Sequence, residues 1–304
     1  MSIKYNIMNF KDVISLTIPQ GEVIQIQDSL SRVLWKKVSP STDLPFYIEN
    51  HTTTNRTVSI SKALTTGAGI NVYYSNDNVT WTLMGTTQYG VDITAPLPAN
   101  GRTYLRCSTT SWNPGQDSNT IKLGVTTAFK IGGNIMSLLY GANYAGKVSF
   151  PSGSTETFAG IFKFNILDAS DLILPATTMV KECYRSLFYN QTSLVSAPQL
   201  PATTLAESCY SGMFKGCTSL TDAPILPAET LTTNCYYEMF NGCTSLEEIH
   251  MLATTWVEGT NNWIEGVAET GTFYMNPYAE YDPLDYVGNP SGIPENWDVR
   301  YEGE

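Results

Sequence analysis

The strongest constraint on the fold is a 26-residue repeat in the second half of this 304-residue chain. The tripeptide Leu-Pro-Ala occurs at residues 174–176, 200–202 and 226–228, and a degenerate fourth copy begins at Leu252. Three more columns keep this register without an insertion: Cys183/Cys209/Cys235, Tyr184/Tyr210/Tyr236 and Phe188/Phe214/Phe240. One such unit cannot bury its own apolar side chains, so repeats of this length fold by stacking, with atypical units at the ends. We therefore predict stacked units over residues 148–251.

Each unit combines a strand-like pattern with a helix-like pattern. Residues 220–225 have the spacing of apolar side chains found in the strand of a leucine-rich repeat. Leu205, Cys209 and Met213 occupy every fourth position, which places them on one face of a helix. Gly216 stands where such a helix would end. The pattern predicts one strand and one short helix per unit, and hence a right-handed α/β solenoid.

The pattern of the units also carries a family resemblance. It reads C-T-S-L-x-x-A-P-x-L-P-A-x-T-L-x-x-x-C-Y-x-x-M-F-x-G-C and resembles the BspA-type leucine-rich repeats of surface and phage-associated proteins of gut Bacteroidales. Two flanking segments, residues 132–141 and 292–297, are similar to the segments that border the repeats in that family. The resemblance implies a leucine-rich-repeat fold and a role in adhesion and ligand recognition. It implies no catalytic residue, because the family pattern is structural.

The chain before the repeats has a different residue pattern. Residues 41–127 contain short runs of β-branched and aromatic residues, broken by glycine, asparagine and proline, which are typical of a small antiparallel β-sandwich. Residues 1–40 contain two further strand-like runs joined by a turn. This segment resembles the N-terminal segments by which phage tail-fibre or virion-associated proteins attach to a particle. The alternative is that it forms an extra hairpin of the neighbouring sandwich.

These patterns together predict a multidomain α+β protein. An N-terminal all-β sandwich, of immunoglobulin-like or jelly-roll type, would precede a short BspA-type leucine-rich-repeat α/β solenoid. The predicted parts are a β-hairpin attachment segment at 1–40, the sandwich at 41–127 and the repeat domain at 128–304, whose residues 252–304 form a C-terminal cap.

Charge excludes one class of partner. The formal net charge is -11, and the whole excess of acidic residues lies after residue 127. Nucleic acid binding relies on a clustered basic face, so we predict no nucleic acid partner. The sequence has no apolar run long enough to span a membrane, so we predict no membrane insertion. Residues 1–21 show no secretory signal, and we therefore expect assembly in a host cytoplasm.

The sequence contains no pattern that indicates catalysis. Its two histidines, His51 and His250, fall in different predicted domains, which disfavours a catalytic triad within one domain. Phosphate-binding loops and metal-binding motifs are absent from the sequence, so we predict no cofactor, no metal and no enzyme activity. Five of the six cysteines lie in two repeat columns. They fit as small buried apolar side chains, and disulfides between neighbouring units are the alternative.

Two groups of residues are candidates for recognition. The outward positions of the predicted strands differ between repeats, as expected for a recognition face on a constant scaffold; they are Val195, Ser196, Thr221, Asp222, Glu247, Glu248 and His250. A solvated face without a ligand is the alternative. The second group is an aromatic patch near carboxylates, formed by Trp256, Trp263 and Tyr274, which could stack on a sugar. Its alternative is a cap on the last repeat.

We therefore predict a non-enzymatic structural protein of a phage virion, in a fibre, tail or capsid-associated position. Its N-terminal segment would bind other virion proteins, and its repeats would bind a glycan or protein of the host surface. A homo-oligomer such as a trimer is possible for a fibre protein. The alternatives are an adhesin at the bacterial cell surface and, third, a glycan-active enzyme.

Overall fold

The structure is a computed structural model that describes residues 24–27, 33–36, 44–62, 69–108, 119–123, 127–256, 259–289 and 292–303. Most of the predicted attachment segment at 1–40 lies outside the described residues. Two strands within it, β1 (Ile24–Gln27) and β2 (Val33–Lys36), pair antiparallel with each other.

The remaining elements are mainly strands. In chain order they are β3 (Tyr47–Glu49), β4 (Arg56–Lys62), β5 (Asn71–Ser75), β6 (Thr82–Thr86), β7 (Ile93–Leu97), β8 (Arg102–Cys107), β9 (Asn119–Leu123), β10 (Phe129–Asn134), β11 (Phe162–Lys163), β12 (Ile166–Ile173), β13 (Glu248–Met251), β14 (Gly271–Met275) and β15 (Trp297–Tyr301). The helical elements are α1 (Ser137–Tyr140) and two 3-10 helices, Gly141–Asn143 and Pro283–Tyr286.

Two sheets form the first half of the fold. One has the strand order β12-β10-β3-β8-β5-β6 and the other has the order β11-β9-β4-β7. Val58 and Ile60 of β4 are both fully buried, because alternate side chains of a strand point to the same face. The ring of Phe46, beside β3, stacks on that of Phe162 of β11 at 5.7 Å and so connects the two sheets. Strands from both sides of the predicted boundary at residue 127 share each sheet.

The repeat units contain turns where helices were predicted. Leu187 N–H bonds to the Tyr184 carbonyl of the preceding turn, within the same unit. Its neighbour Phe188 instead donates to the carbonyl of Met213, which belongs to the next unit. This alternation continues along residues 182–191 and through the following units. An α-helix needs each N–H to bond to the carbonyl at position i−4, so the bonds between units replace the helix.

The predicted fold class was therefore wrong. Of the described residues, 32% are in strands and 4% in helices, and one short α-helix, α1, is present. That helix lies at residues 137–140, before the predicted repeats. The described part of the chain forms neither the predicted α/β solenoid nor a closed barrel. Leu205, Cys209 and Met213, which are regularly spaced, are all buried, but they lie in a row of turns and not in a helix.

Aromatic rings stack in columns from unit to unit. The centroids of Tyr184, Tyr210 and Tyr236 follow each other at 5.9 and 6.1 Å. Those of Phe188, Phe214 and Phe240 follow at 5.3 and 5.5 Å. Such pairs contribute about 0.5–1.5 kcal/mol each beyond the burial of their area. The phenylalanine rings are nearly parallel, with interplanar angles of 6° and 2°, so the units stack with almost no rotation at this column.

The six cysteines are free and buried. Cys217 and Cys243 each donate the thiol to a carbonyl of the preceding unit, at 3.1 Å. Gln191 occupies the same column in the first unit and accepts the Ile166 N–H at 2.8 Å. Burial raises the pKa of Cys183 and that of Cys243 to about 12, which keeps both thiols protonated at neutral pH.

The row of turns requires left-handed backbone at fixed columns. One column contains Asn190, Gly216, Gly242 and Gly266, with φ of 58°, 77°, 76° and 72°. Glycine adopts this region without a steric cost, and asparagine tolerates it better than other residues with a side chain. A Cβ added at Gly242 would meet no atom closer than 3.7 Å, so the backbone angle alone limits substitution there.

We predict that Gly242→Val lowers the free energy of unfolding by about 1–3 kcal/mol, because a β-branched residue is strained at positive φ. Gly242→Asn should lower the free energy of unfolding clearly less, since Asn190 occupies the same column. Urea unfolding of the two variants tests this prediction. Equal costs for both would contradict it.

Candidate recognition groove

A groove with a volume of about 840 Å³ lies along the outer side of the last repeats and of the sheet β13-β14-β15. We call it the acidic groove. Its lining residues are Thr221, Asp222, Thr244, Ser245, Glu247, Glu248, Thr270, Gly271, Thr272 and Asp298. Four of the seven predicted face residues line it, namely Thr221, Asp222, Glu247 and Glu248.

Strand alternation separates the core from this outer surface. In β13, Ile249 and Met251 are fully buried, whereas Glu248 is exposed. The parallel register places Glu248 beside Thr272 of β14 and Thr272 beside Asp298 of β15. These three side chains therefore form a row across the sheet, because residues paired in register point to the same face.

The same row continues into the earlier repeats. Parallel bridges join Asp168 to Ser196 and Ser196 to Asp222, and the Ser196 hydroxyl donates to a carboxylate oxygen of Asp222 at 3.0 Å. The backbone carbonyl of Val195 accepts N–H groups of Thr221 and Asp222. Val195 and Ser196 therefore lie next to the groove, in the preceding unit.

One end of this row is electrostatically compensated. Lys130 Nζ lies 3.3 Å from Asp168 Oδ2, and Ser170 N–H donates to Asp168 Oδ1 at 2.8 Å. Burial alone would raise the pKa of Asp168, but the bonds from Ser170 and the ammonium of Lys130 outweigh burial and lower that pKa.

The acidic groove itself has little compensation. Four carboxylates line it, and the only Lys or Arg within the described ranges that pairs with one of them is Arg300, which lies 3.7 Å from Asp298. Five hydroxyl groups line the groove together with these carboxylates. Carboxylates accept hydrogen bonds and hydroxyls both donate and accept, so the groove suits a ligand with many hydroxyl or ammonium groups and repels anions.

His250 holds the C-terminal segment against β13, beside the groove. Its Nε2 lies 2.9 Å from Glu248 Oε1 and its Nδ1 lies 2.5 Å from Glu302 Oε1. Its ring stacks on Tyr274 of β14, with the centroids 4.4 Å apart. The backbone N–H of Glu302 also donates to the Met275 carbonyl at 2.9 Å. His250 of β13 therefore contacts β14 and the residue that follows β15.

The three predicted aromatic residues do not form one surface patch. Trp263 is fully buried and donates its indole N–H to the Gly292 carbonyl at 3.1 Å. Trp256 is half-buried, contacts Trp263 edge to face and stacks on Tyr286 at 4.6 Å. Tyr274 lies on the outer face of β14 with His250, whereas the neighbouring Phe273 packs inward on Trp263.

Sequence reasoning missed the far wall of the acidic groove. Thr270, Gly271, Thr272 and Asp298 lie beyond the repeats: the first three on or beside β14, which pairs in parallel with β13, and Asp298 on β15, which pairs in parallel with β14. Glu248 pairs with Thr272, whereas the register of the repeats would have matched it with Tyr274. Gly271 is one signal in the sequence, because an isolated glycine in a strand-like run indicates a close backbone approach; in the structure a Cβ there would meet the Glu247 carbonyl at 2.5 Å.

Comparisons with models of protein families, with curated proteins and with solved structures each found no match for this chain. Among the residues that the structure describes, no helix has the length and apolar character needed to cross a membrane. The same residues contain no group of three or more His, Cys, Asp or Glu side chains that could hold a metal ion.

We predict that His250→Phe keeps the ring stack on Tyr274 but loosens residues 297–303. Loss of both carboxylate contacts should cost about 1 kcal/mol of local stability, which corresponds to about fivefold faster amide exchange there. Hydrogen exchange followed by mass spectrometry measures this effect. His51→Phe makes the same change beside Glu49, in the first half of the fold, and should leave exchange at 297–303 unchanged. Unaltered exchange in the His250 variant would contradict the proposed link.

Proposed function

We propose that this chain is a non-enzymatic recognition protein whose acidic groove binds a neutral or amino-bearing glycan of a host surface. The observation that carries the proposal is the lining of the groove, in which four carboxylates and five hydroxyls face outward on a rigid stack of backbone hydrogen bonds. A preformed array of polar groups reduces the ordering cost of binding.

The charge of the groove selects among glycans. Carboxylates accept hydrogen bonds from sugar hydroxyls and pair with ammonium groups. Sialylated, sulfated or uronic glycans would meet Asp222, Glu247 and Glu248 as like charges, which is unfavourable. Tyr274, which follows Thr272 on the same face of β14, could lie against the apolar face of a sugar ring that extends from the groove.

The setting that we propose is a phage virion, in a fibre, tail or capsid-associated position. Two resemblances support this setting. The repeats resemble those of surface and phage-associated proteins, and residues 1–40 resemble the attachment segments of virion proteins. In this proposal, the N-terminal segment binds other virion proteins and the groove faces the host.

A glycan array tests the proposed specificity. The full chain should bind neutral or amino-bearing glycans and leave acidic glycans unbound. The double variant Glu247→Gln/Glu248→Gln should bind the selected glycan about tenfold more weakly, which is about 1.4 kcal/mol. Glu229→Gln/Glu280→Gln removes the same charge outside the groove and should bind like the unchanged protein. Preference for acidic glycans, or equal losses in both double variants, would overturn the groove as the binding site.

Proteomics of purified phage particles tests the proposed setting separately. We expect this chain at a stoichiometric level in particles that resist washing in high salt. Its enrichment instead in washed bacterial envelopes, with none in particles, would refute the virion setting while leaving the glycan result intact.

A further inference from the structure

The backbone bonds between the turn segments of neighbouring repeat units have one direction, whereas those between the strand segments run both ways. In the turn segment of each unit before the last row, N–H groups at alternate positions donate to carbonyls about one repeat later in the chain. The third unit shows this with Phe240, which donates to the Trp263 carbonyl, and with Gly242, which donates to the Glu265 carbonyl at 2.8 Å. Each row of turns thus receives bonds on one side and donates on the other.

The last row, residues 259–266, keeps this geometry. Its carbonyls accept from the preceding unit, and Trp263 and Glu265 make the usual bonds within the row, to Thr260 and Asn262. Gly266 has φ of 72° and stacks on Gly242, as Gly242 stacks on Gly216. The donors of this row by register are therefore Asn262, Ile264 and Gly266.

These donors have no following row. Within the described ranges, the N–H groups of Ile264 and Gly266 bond to no backbone or side-chain acceptor. Turn backbones of alternating handedness with outward N–H groups form concave sites for oxygen atoms. Unused donors in this position therefore favour a ligand that supplies oxygen acceptors at alternate residues, as a next row would.

A cavity lies where the next row would be. Its volume is about 410 Å³, within the range of about 300–1,000 Å³ for ligand sites. Ile264, Gly266 and Val267 form one wall, and residues 292–296 form the opposite wall. Ile293 and Pro294 make that wall partly apolar.

The rim of this cavity is acidic. Glu265, Glu269 and Glu295 line it, and no Lys or Arg in the described parts of the chain forms an ion pair with any of them. Glu265 accepts the Asn241 amide at 3.0 Å. Three carboxylates oppose an anionic ligand, so the oxygen that suits the N–H groups is a neutral carbonyl, and the groups that suit the rim are cations.

We infer that this cavity is a docking site for a basic peptide segment of a partner protein. The segment lies along the last row, its backbone carbonyls accept the N–H groups of Ile264 and Gly266, and its Lys or Arg side chains pair with the rim carboxylates. Docking by main-chain hydrogen bonds to an open edge is an established mode of peptide recognition. The site is separate from the acidic groove, and its partner is a protein rather than a glycan.

Nuclear magnetic resonance on the full chain, labelled with ¹⁵N at glycine and isoleucine, tests this inference. The probe is the acetylated and amidated peptide (Lys-Ala)4. We expect its titration to shift the amide signals of Ile264 and Gly266 and to leave those of Gly216 and Gly242 in place. Spermine, which has cationic amines but no carbonyls, should shift neither Ile264 nor Gly266. The peptide (Glu-Ala)4 should not bind.

Charge-removing variants distinguish binding at the cavity rim from general attraction to the acidic protein. Glu269→Gln/Glu295→Gln should weaken binding of (Lys-Ala)4 about tenfold, whereas the matched pair Glu229→Gln/Glu280→Gln should not weaken it. Shifts that spread over the acidic surface outside the cavity and the acidic groove, equal effects of spermine and peptide at Ile264 and Gly266, or equal losses in both double variants would each overturn the inference. Unchanged signals at Ile264 and Gly266 in saturating peptide would do so as well.

Discussion

The hydrogen bond from one repeat unit to the carbonyl about one repeat later is the interaction on which the rest of this structure depends. It takes every second N–H group of the turn segment, so the segment cannot form a helix, and it fixes the distance between units. The columns of stacked tyrosine and phenylalanine rings follow from that spacing. Positive φ at Gly216 and Gly242 is the local condition under which the chain can alternate between bonds within a unit and bonds between units.

The same register organises the surface. Ser196 and Asp222 contact each other because equivalent positions of neighbouring units lie side by side. Strands β13, β14 and β15 continue the stack as a parallel sheet, and His250 connects β13 to β14 and to the residue after β15. The acidic groove is therefore a row of differing side chains on a constant backbone, whereas the cavity beside Gly266 lies where that backbone pattern stops.

Much of the core could be predicted from the sequence, but the secondary structure of the repeats could not. The cysteine columns were expected to be inward, and Cys209 is buried together with Tyr210 and Phe214 of the neighbouring columns. The helix prediction used the spacing of Leu205, Cys209 and Met213, which reports only which side chains share an environment. A row of turns that places alternate residues inward produces the same spacing. The choice between them lies in the partners of the backbone N–H groups, and every second partner belongs to the next unit, far along the chain.

The candidate site, too, was predictable from the sequence only in part. The repeat by itself determined that Thr221, Asp222, Glu247 and Glu248 would share an outward face, because residues one period apart occupy equivalent positions in stacked units. Only the tertiary structure decided that Thr272 and Asp298 complete the groove, that Trp263 is core and Tyr274 surface, and that Ile264 and Gly266 keep unused N–H groups. Periodicity specifies equivalence between units, but where a stack ends and what covers its end depend on long-range pairing that has no period.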